Sequence, residues 1–341
     1  MDIELGVDTF GDVTLGAGGK PLTQAQVIRN VVDEAVLAEQ AGLDVIGIGE
    51  HHRDDFAVSS PEMVLAGIAG RTTRLRLASA VTVLSSDDPV RVYERFSTLD
   101  ALSSGRAEVI VGRGSFTESF PLFGFDLTDY QELFEEKLAM FVELRNRGRI
   151  TWQGNLTQSL DDVEVFPRVE HGPLTTWVAV GGSPESVIRA ARHGLDLMLA
   201  IIGGPVDRFA PFVELYHRAL AQLGQPEGRV GFHSFGHVAA TDEEAIEQYF
   251  GPYVAGMTRV GRDRGWRRPT PDSFRYELEH GSMTVGSPET VARKIVAGVR
   301  ALGASRFSMK VSTGPMAHEL ISSSIELYGT KVAPLVRDML S

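Results

Sequence analysis

Apolar positions along this chain keep changing period. Residues 3–10 alternate as a strand does, whereas 23–42 place Val27, Val31, Ala35 and Ala38 at helical spacing. The exchange then repeats. Strands are predicted over 44–50, 75–84, 106–113, 176–181, 196–202, 229–240 and 305–312. Helices are predicted over 60–73, 88–104, 129–148, 184–194, 205–224, 287–302 and from 315 to 338. Two stretches interrupt the rhythm: a Pro- and Gly-bearing excursion over 149–175, and a longer one that contains a helix over 242–264. Strand–helix alternation implies a parallel sheet, and eight such units point to a closed (β/α)8 TIM barrel with insertions after strands 4 and 7. An open doubly wound sheet would carry a GxGxxG turn after its first strand, and "TFGDVTLGAGG" lacks that spacing.

In a barrel the chemistry collects where strands end. Those ends read TFGD, GEHH, VTVL, GRGS, VGGSPES, AIIGG, GHVA and KVSTG, mostly glycine beside polar groups. The strand starts are plain entries such as TRLR and GLDL. Charge narrows the partners. With 45 acidic against 33 basic residues and a net charge of -12, nucleic acid and anionic membrane are poor main partners. A local basic pocket for one phosphate remains compatible. The absence of cysteine removes disulfides, thiolate nucleophiles and Cys-ligated metals. The acidic, strand-like start is unlike a signal peptide, and no apolar run is long enough to span a bilayer, so a cytoplasmic location is expected.

Four stretches carry candidate chemistry. "DVIGIGEHHRDDF" ends an apolar strand with Glu50, His51 and His52. Neighbouring strand residues face opposite ways, so both imidazoles enter the barrel mouth only where strand has become loop. A metal would need further ligands, for which His233 and His237 are the candidates; HExxH is missing and no metal is expected. Arg113 ends a fully apolar strand between glycines, where it needs either an anion or an ion pair with a strand end such as Glu50. In "VGGSPES", Ser183 reads as an N-cap, Pro184 as the first helical residue and Glu185 as a first-turn acid. SPE recurs at Ser60 and Ser287, so what sets this copy apart is Gly181-Gly182 directly after a strand, an anion-binding arrangement. Finally, Ser79-Ala80 interrupt a β-branched strand with small side chains, leaving room for a flat ligand or for close packing.

Together, "GEHH", "SAVTVLSSDDPVRVYERFSTLDALSSGRAEVIVGRGS" and "VGGSPES" make the chain resemble the bacterial luciferase-like flavin-dependent monooxygenases over nearly its whole length. The resemblance implies one luciferase-like TIM-barrel domain over 1–341, acting on reduced FMN, with the deazaflavin F420 as the alternative. It places Arg113, Gly181, Gly182, Ser183 and Ser186 at the flavin phosphate, and Ser79 and Ala80 beneath the isoalloxazine, where the family often has a non-proline cis peptide. His51 matches the family's histidine near the flavin and His52 its neighbour, with Glu50 orienting a ring. The family's reactive cysteine beside the fourth-strand arginine is Gly112 here.

The implied reaction takes FMNH2 from a separate reductase, activates O2 and oxidises a small organic substrate. F420-dependent hydride transfer and non-catalytic flavin binding are the alternatives. Phe116, Phe120, Phe123 and Phe125 suggest an apolar lid and hence a largely apolar substrate. A homodimer is implied as well, joined through helices 60–73 and 88–104, whose Met63, Leu65, Ile68, Val92, Phe96 and Leu99 look plentiful for helices that only cover a barrel.

Overall fold

The computed structural model describes residues 3–114 and 116–341, apart from the Asp263 side chain; Ser115, in the fourth strand end, lies outside them. Eight parallel strands form the core: β1 (Glu4–Thr9), β2 (Val45–Ile48), β3 (Arg76–Ser79, resumed at Thr82–Val83), β4 (Ala107–Gly112), β5 (Thr175–Val180), β6 (Asp196–Ala200), β7 (Val230–Val238) and β8 (Arg306–Lys310). Each pairs with the next, and β8 returns to β1 in register from Glu4↔Arg306 to Asp8↔Lys310. Closure leaves no barrel strand with a free edge.

The helices are α1 (Gln24–Gln40), α2 (Pro61–Ala69), α3 (Pro89–Ser103), α4 (Tyr130–Arg147), α5 (Pro184–Arg192), α6 (Ala210–Leu223), α7 (Asp242–Arg264), α8 (Pro271–His280), α9 (Pro288–Leu302), α10 (His318–Leu327) and α11 (Ala333–Leu340). All three SPE motifs start helices. Ser183 and Ser287 also cap theirs through the side chain, whereas Ser60 does not. Both predicted insertions are present. The first is an antiparallel hairpin, Arg149–Trp152 against Leu160–Glu164. The second is α7, α8 and a short strand Thr284–Gly286 that extends the end of β7. Among the described residues no helix is long and apolar enough to cross a membrane.

The predicted strand 75–84 is broken rather than continuous. Its peptide between Ala80 and Val81 is cis, one bond beyond the Ser79-Ala80 pair. Across the break, Ser79 Oγ donates to the Ile110 carbonyl and accepts from the Ile110 amide, both at 3.1 Å. A side chain thus replaces the missing ladder bonds. Ser79 is therefore a buried strap between β3 and β4.

Inside the barrel, Val45, Ala78, Ile110, Trp177 and Met198 pack as a separate apolar cluster. Below them the strand starts bring charge together. Arg306 reaches Glu108 at 2.5 Å and Glu4 at 2.8 Å, Arg76 also bonds Glu108, and Trp177 Nε1 donates to Glu108 at 3.0 Å. Burial alone would raise the Glu108 carboxyl, but the two arginines hold it at about 2. The plain-looking strand starts hide a floor of ion pairs.

Most of the apolar residues named for a dimer face are also packed within the chain. Leu65, Ile68, Val92, Phe96 and Leu99 are buried against the barrel; of that set only Met63 is exposed, at 70%.

Candidate active site

The strand ends open into a cavity of about 1160 Å³. Its inner wall is apolar, with Val45, Ala78, Ile110 and Met198, and Arg306 reaches its floor. One side is built by α7 and the turn after it, through Val254, Met257, Arg262 and Trp266. The predicted phenylalanine lid is only partly real. Phe116 lines the cavity, but Phe120 is buried in the fold and Phe123 is half exposed against His52. Phe125 instead lies under the Lys137 ammonium, 3.8 Å from its ring centre. The main cover comes from the second insertion, where the sequence showed a helix but not its partner.

The two imidazoles part company. His51 lines the cavity, packed on Phe10, Phe56 and Phe116, with Nδ1 3.3 Å from Glu118 Oε1. Burial would raise the Glu118 carboxyl; the hydrogen bond and charge of His51, together with backbone N–H donors including that of His52, outweigh it and hold the group below the usual range. His52 points elsewhere and does not line the cavity. Its Nε2 lies 2.9 Å from Glu50 Oε1, while Glu50 Oε2 accepts the Val83 amide at 3.0 Å. The Glu50 hydrogen bond, working against burial, raises the His52 pKa. Glu50 and His52 therefore brace the strand just after its break. The expectation that Glu50 orients a ring holds for His52; the carboxylate beside His51 is Glu118, which sequence spacing alone did not single out.

A cationic corner forms where β4 meets α5. Arg113 donates to Gln131 at 2.8 Å and to Ser186 Oγ at 3.3 Å, and lies over the Tyr130 ring. Among the described residues no carboxylate pairs with it; Glu50 is committed to His52. Ser183 Oγ accepts the Ser186 amide at 3.3 Å and sits 2.8 Å from Ser186 Oγ. Gly182 adopts φ +105°, a conformation that needs glycine. A Cβ on Gly181 would meet nothing within 4 Å, so backbone here borders open space. Arg113 and Gly181 line the cavity, and Gly182, Ser183 and Ser186 continue from it. A second arginine, buried Arg189, also donates to Ser186 Oγ (3.1 Å) while paired with Glu135.

On the other flank, Ala80 lines the cavity and Ser79 does not. A Cβ on Gly112 would lie 2.8 Å from Val81 Cγ2, so Val81 fills the space a cysteine there would take.

His233 and His237 do not converge on a metal. His233 Nδ1 lies 2.6 Å from Asp8 Oδ2 inside the cavity wall, whereas His237 is buried with Nε2 2.7 Å from Gln248 Oε1. Among the described residues no group of three or more His, Asp or Glu side chains is arranged to hold a metal ion. Lys310, buried, pairs with Asp12 at 2.8 Å and lies over the Phe10 ring. Lys310 lies 298 positions from Asp12, and only the closure of β1 against β8 brings it to Asp8 and Asp12.

The family model described as luciferase-like monooxygenase matches residues 9–306. The alkanal monooxygenase alpha chain of Photorhabdus luminescens is 23% identical over 363 residues, covering 96% of this chain and 97% of that protein. Among solved structures, the monooxygenase RslO1 from Streptomyces bottropensis superposes with a TM-score of 0.84 at 22% identity, over 97% of this chain and 99% of that one. The oxygenating constituent of 3,6-diketocamphane monooxygenase from Pseudomonas putida, solved in complex with FMN, gives 0.74 at 19% identity, over 98% and 99%. At such identities these structural likenesses speak for the fold alone.

Proposed function

The chain belongs to the luciferase-like monooxygenase family, and from that membership we propose that it is an FMN-dependent enzyme that oxidises a largely apolar organic substrate with O2. The observation that carries this reading is the corner formed by Arg113, Ser186 and the open backbone at Gly181. An arginine with no carboxylate partner among the described residues stands there beside a helix N-terminus, at the edge of an apolar cavity. That donor set suits a phosphate monoester. Arg113, Gly181, Gly182, Ser183 and Ser186 would hold the FMN phosphate, and Ala80 would border the ring system. When bound, reduced FMN supplies the electrons that activate O2.

The chain's own residues then have separable tasks. The apolar wall excludes water and accepts the substrate body. His51, facing the cavity and hydrogen-bonded to Glu118 through Nδ1, would pass a proton to or from the substrate at its other ring nitrogen. Glu50 and His52 keep the broken strand in place. Reduced flavin arrives from a separate reductase.

The test is to load the protein with reduced FMN without oxygen, admit O2, and follow flavin absorbance and oxygen uptake, with F420 in a parallel sample. Oxygen-dependent reoxidation whose time course differs from that of free FMNH2 supports the reading. Tight binding of F420 with no oxygen reaction would replace it with hydride transfer.

A further inference from the structure

The cavity holds a second buried acid–base pair that this reading leaves unused. Asp8 lies next to the last residue of β1 and His233 lies in β7, separated by β8, and both line the cavity of the closed barrel. Asp8 Oδ2 lies 2.6 Å from His233 Nδ1, and the Asp8 side chain is 2% exposed. Its other oxygen, Oδ1, is buried with no hydrogen-bond partner among the described residues. A carboxylate at Nδ1 fixes that nitrogen as the N–H, so Nε2 carries the lone pair. Among the described residues nothing bonds Nε2, and the ring lies along the cavity wall, stacked at 17° on Phe10. A built, oriented base therefore faces the substrate space, and Phe10 neighbours both it and His51.

We infer that Asp8 and His233 recognise an acidic hydroxyl on the substrate, so that the substrate is a phenol or an enol with an apolar, planar body. The inference rests on the FMN monooxygenase reading and narrows its substrate class. In the step, the substrate O–H bond breaks and an Nε2–H bond forms. The proton moves to His233 and the electron pair stays on oxygen, leaving a phenolate or enolate; nothing is oxidised or reduced in this transfer. Asp8 is a positioning residue that stabilises the resulting imidazolium. An aliphatic alcohol is far too weak an acid for an imidazole, whereas a phenol near pKa 10 is within about 4 units of it. An ionised hydroxyl makes the conjugated carbon electron-rich, which is what transfer of an electrophilic oxygen requires. The charged and titratable groups around the pair are Lys310 from β8, held by Asp12 and lying 4.5 Å from the centre of the Phe10 ring, His51, which also packs on Phe10, and Arg306 at the floor. Ser308, in register with His233, is uncharged.

The experiment uses 4-nitrophenol as probe, titrated with pH in the presence of the FMN-loaded protein and read by its phenolate absorbance. Bound to the wild type, it should ionise roughly one pH unit or more below its value in water, because a base and its carboxylate favour the ionised form. His233→Gln should abolish the shift, and Asp8→Asn, which keeps an acceptor at Nδ1 but removes the charge, should reduce it. His51→Gln should leave it in place. FMN affinity is measured on every variant, so a misfolded protein is recognised and the milder Asp8→Asn then decides. Absence of a shift in a wild type that binds FMN, or an equal shift in His233→Gln, overturns the inference while the FMN reading stands. A wild type that binds no FMN overturns both.

Discussion

Replacing Arg113 with alanine separates anchoring from everything else the site does. The guanidinium spends one amino group on Gln131 and the other on Ser186, and no described carboxylate neutralises it. A phosphate at this corner would gain a charge-assisted pair, and losing such a pair at a partly buried site costs about 2–4 kcal/mol. Buried Arg189 also reaches Ser186, but its charge is matched by Glu135, so it compensates only in part. The lower half of that range, about 2–3 kcal/mol, is therefore expected, a loss of roughly 30- to 150-fold in FMN affinity. Riboflavin shares the ring system but has no phosphate, and should bind wild type and variant alike. Fluorescence quenching or calorimetry with both ligands gives the comparison directly. Equal losses for FMN and riboflavin would show that Arg113 supports the loop through Gln131 and Ser186 and that no phosphate sits there.

Other perturbations probe the remaining layers. His51→Ala should lower turnover by about 10²- to 10⁴-fold, the usual scale for losing a general acid or base, with FMN affinity little changed in the same binding assay. Glu108→Gln should cost about 3–5 kcal/mol in a denaturant melt, because it leaves Arg306, which is 0% exposed, short of a charged partner. Because the folded Glu108 value is depressed to about 2, its contribution is present above the ordinary glutamate range and lost as pH falls toward that value. Lys137, pushed down to about 8 by burial, acts in the same direction in a higher window: the unfolded chain holds more protons above that pH, so stability should rise from about 8 toward the ordinary lysine value of 10.5. Lys137→Met should flatten that rise in melts taken across the window.

How much of this was legible beforehand follows from the range of the interactions. Helix starts at Pro61, Pro184 and Pro288 could be read because capping and a fixed proline φ act within a few residues. The barrel could be read because period and alternation are local properties that closure then only sums. The EHH motif, Arg113 and the Gly181-Gly182 turn could be located because each joins polar groups to the end of an apolar run. Their division of labour could not. Which imidazole enters the cavity depends on the turn after β2, which gives His52 to Glu50 and leaves His51 to the cavity and Glu118.

By itself, then, the sequence determined the strand–helix repeat, the family and the place of Arg113 and Gly181-Gly182 at strand ends, because these reside in short-range pattern and in the chemistry of single residues. Only the tertiary structure decided the rest. Closing β8 onto β1 set Lys310 against Asp12, and with β7 beside β8 it set His233 against Asp8, pairs more than two hundred positions apart. It turned the strand starts into the Glu108–Arg306 floor and buried Leu65, Ile68, Val92, Phe96 and Leu99 in the core. It also laid α7 beside the mouth. No local pattern encodes such contacts, because each depends on where the barrel places a residue from a distant strand.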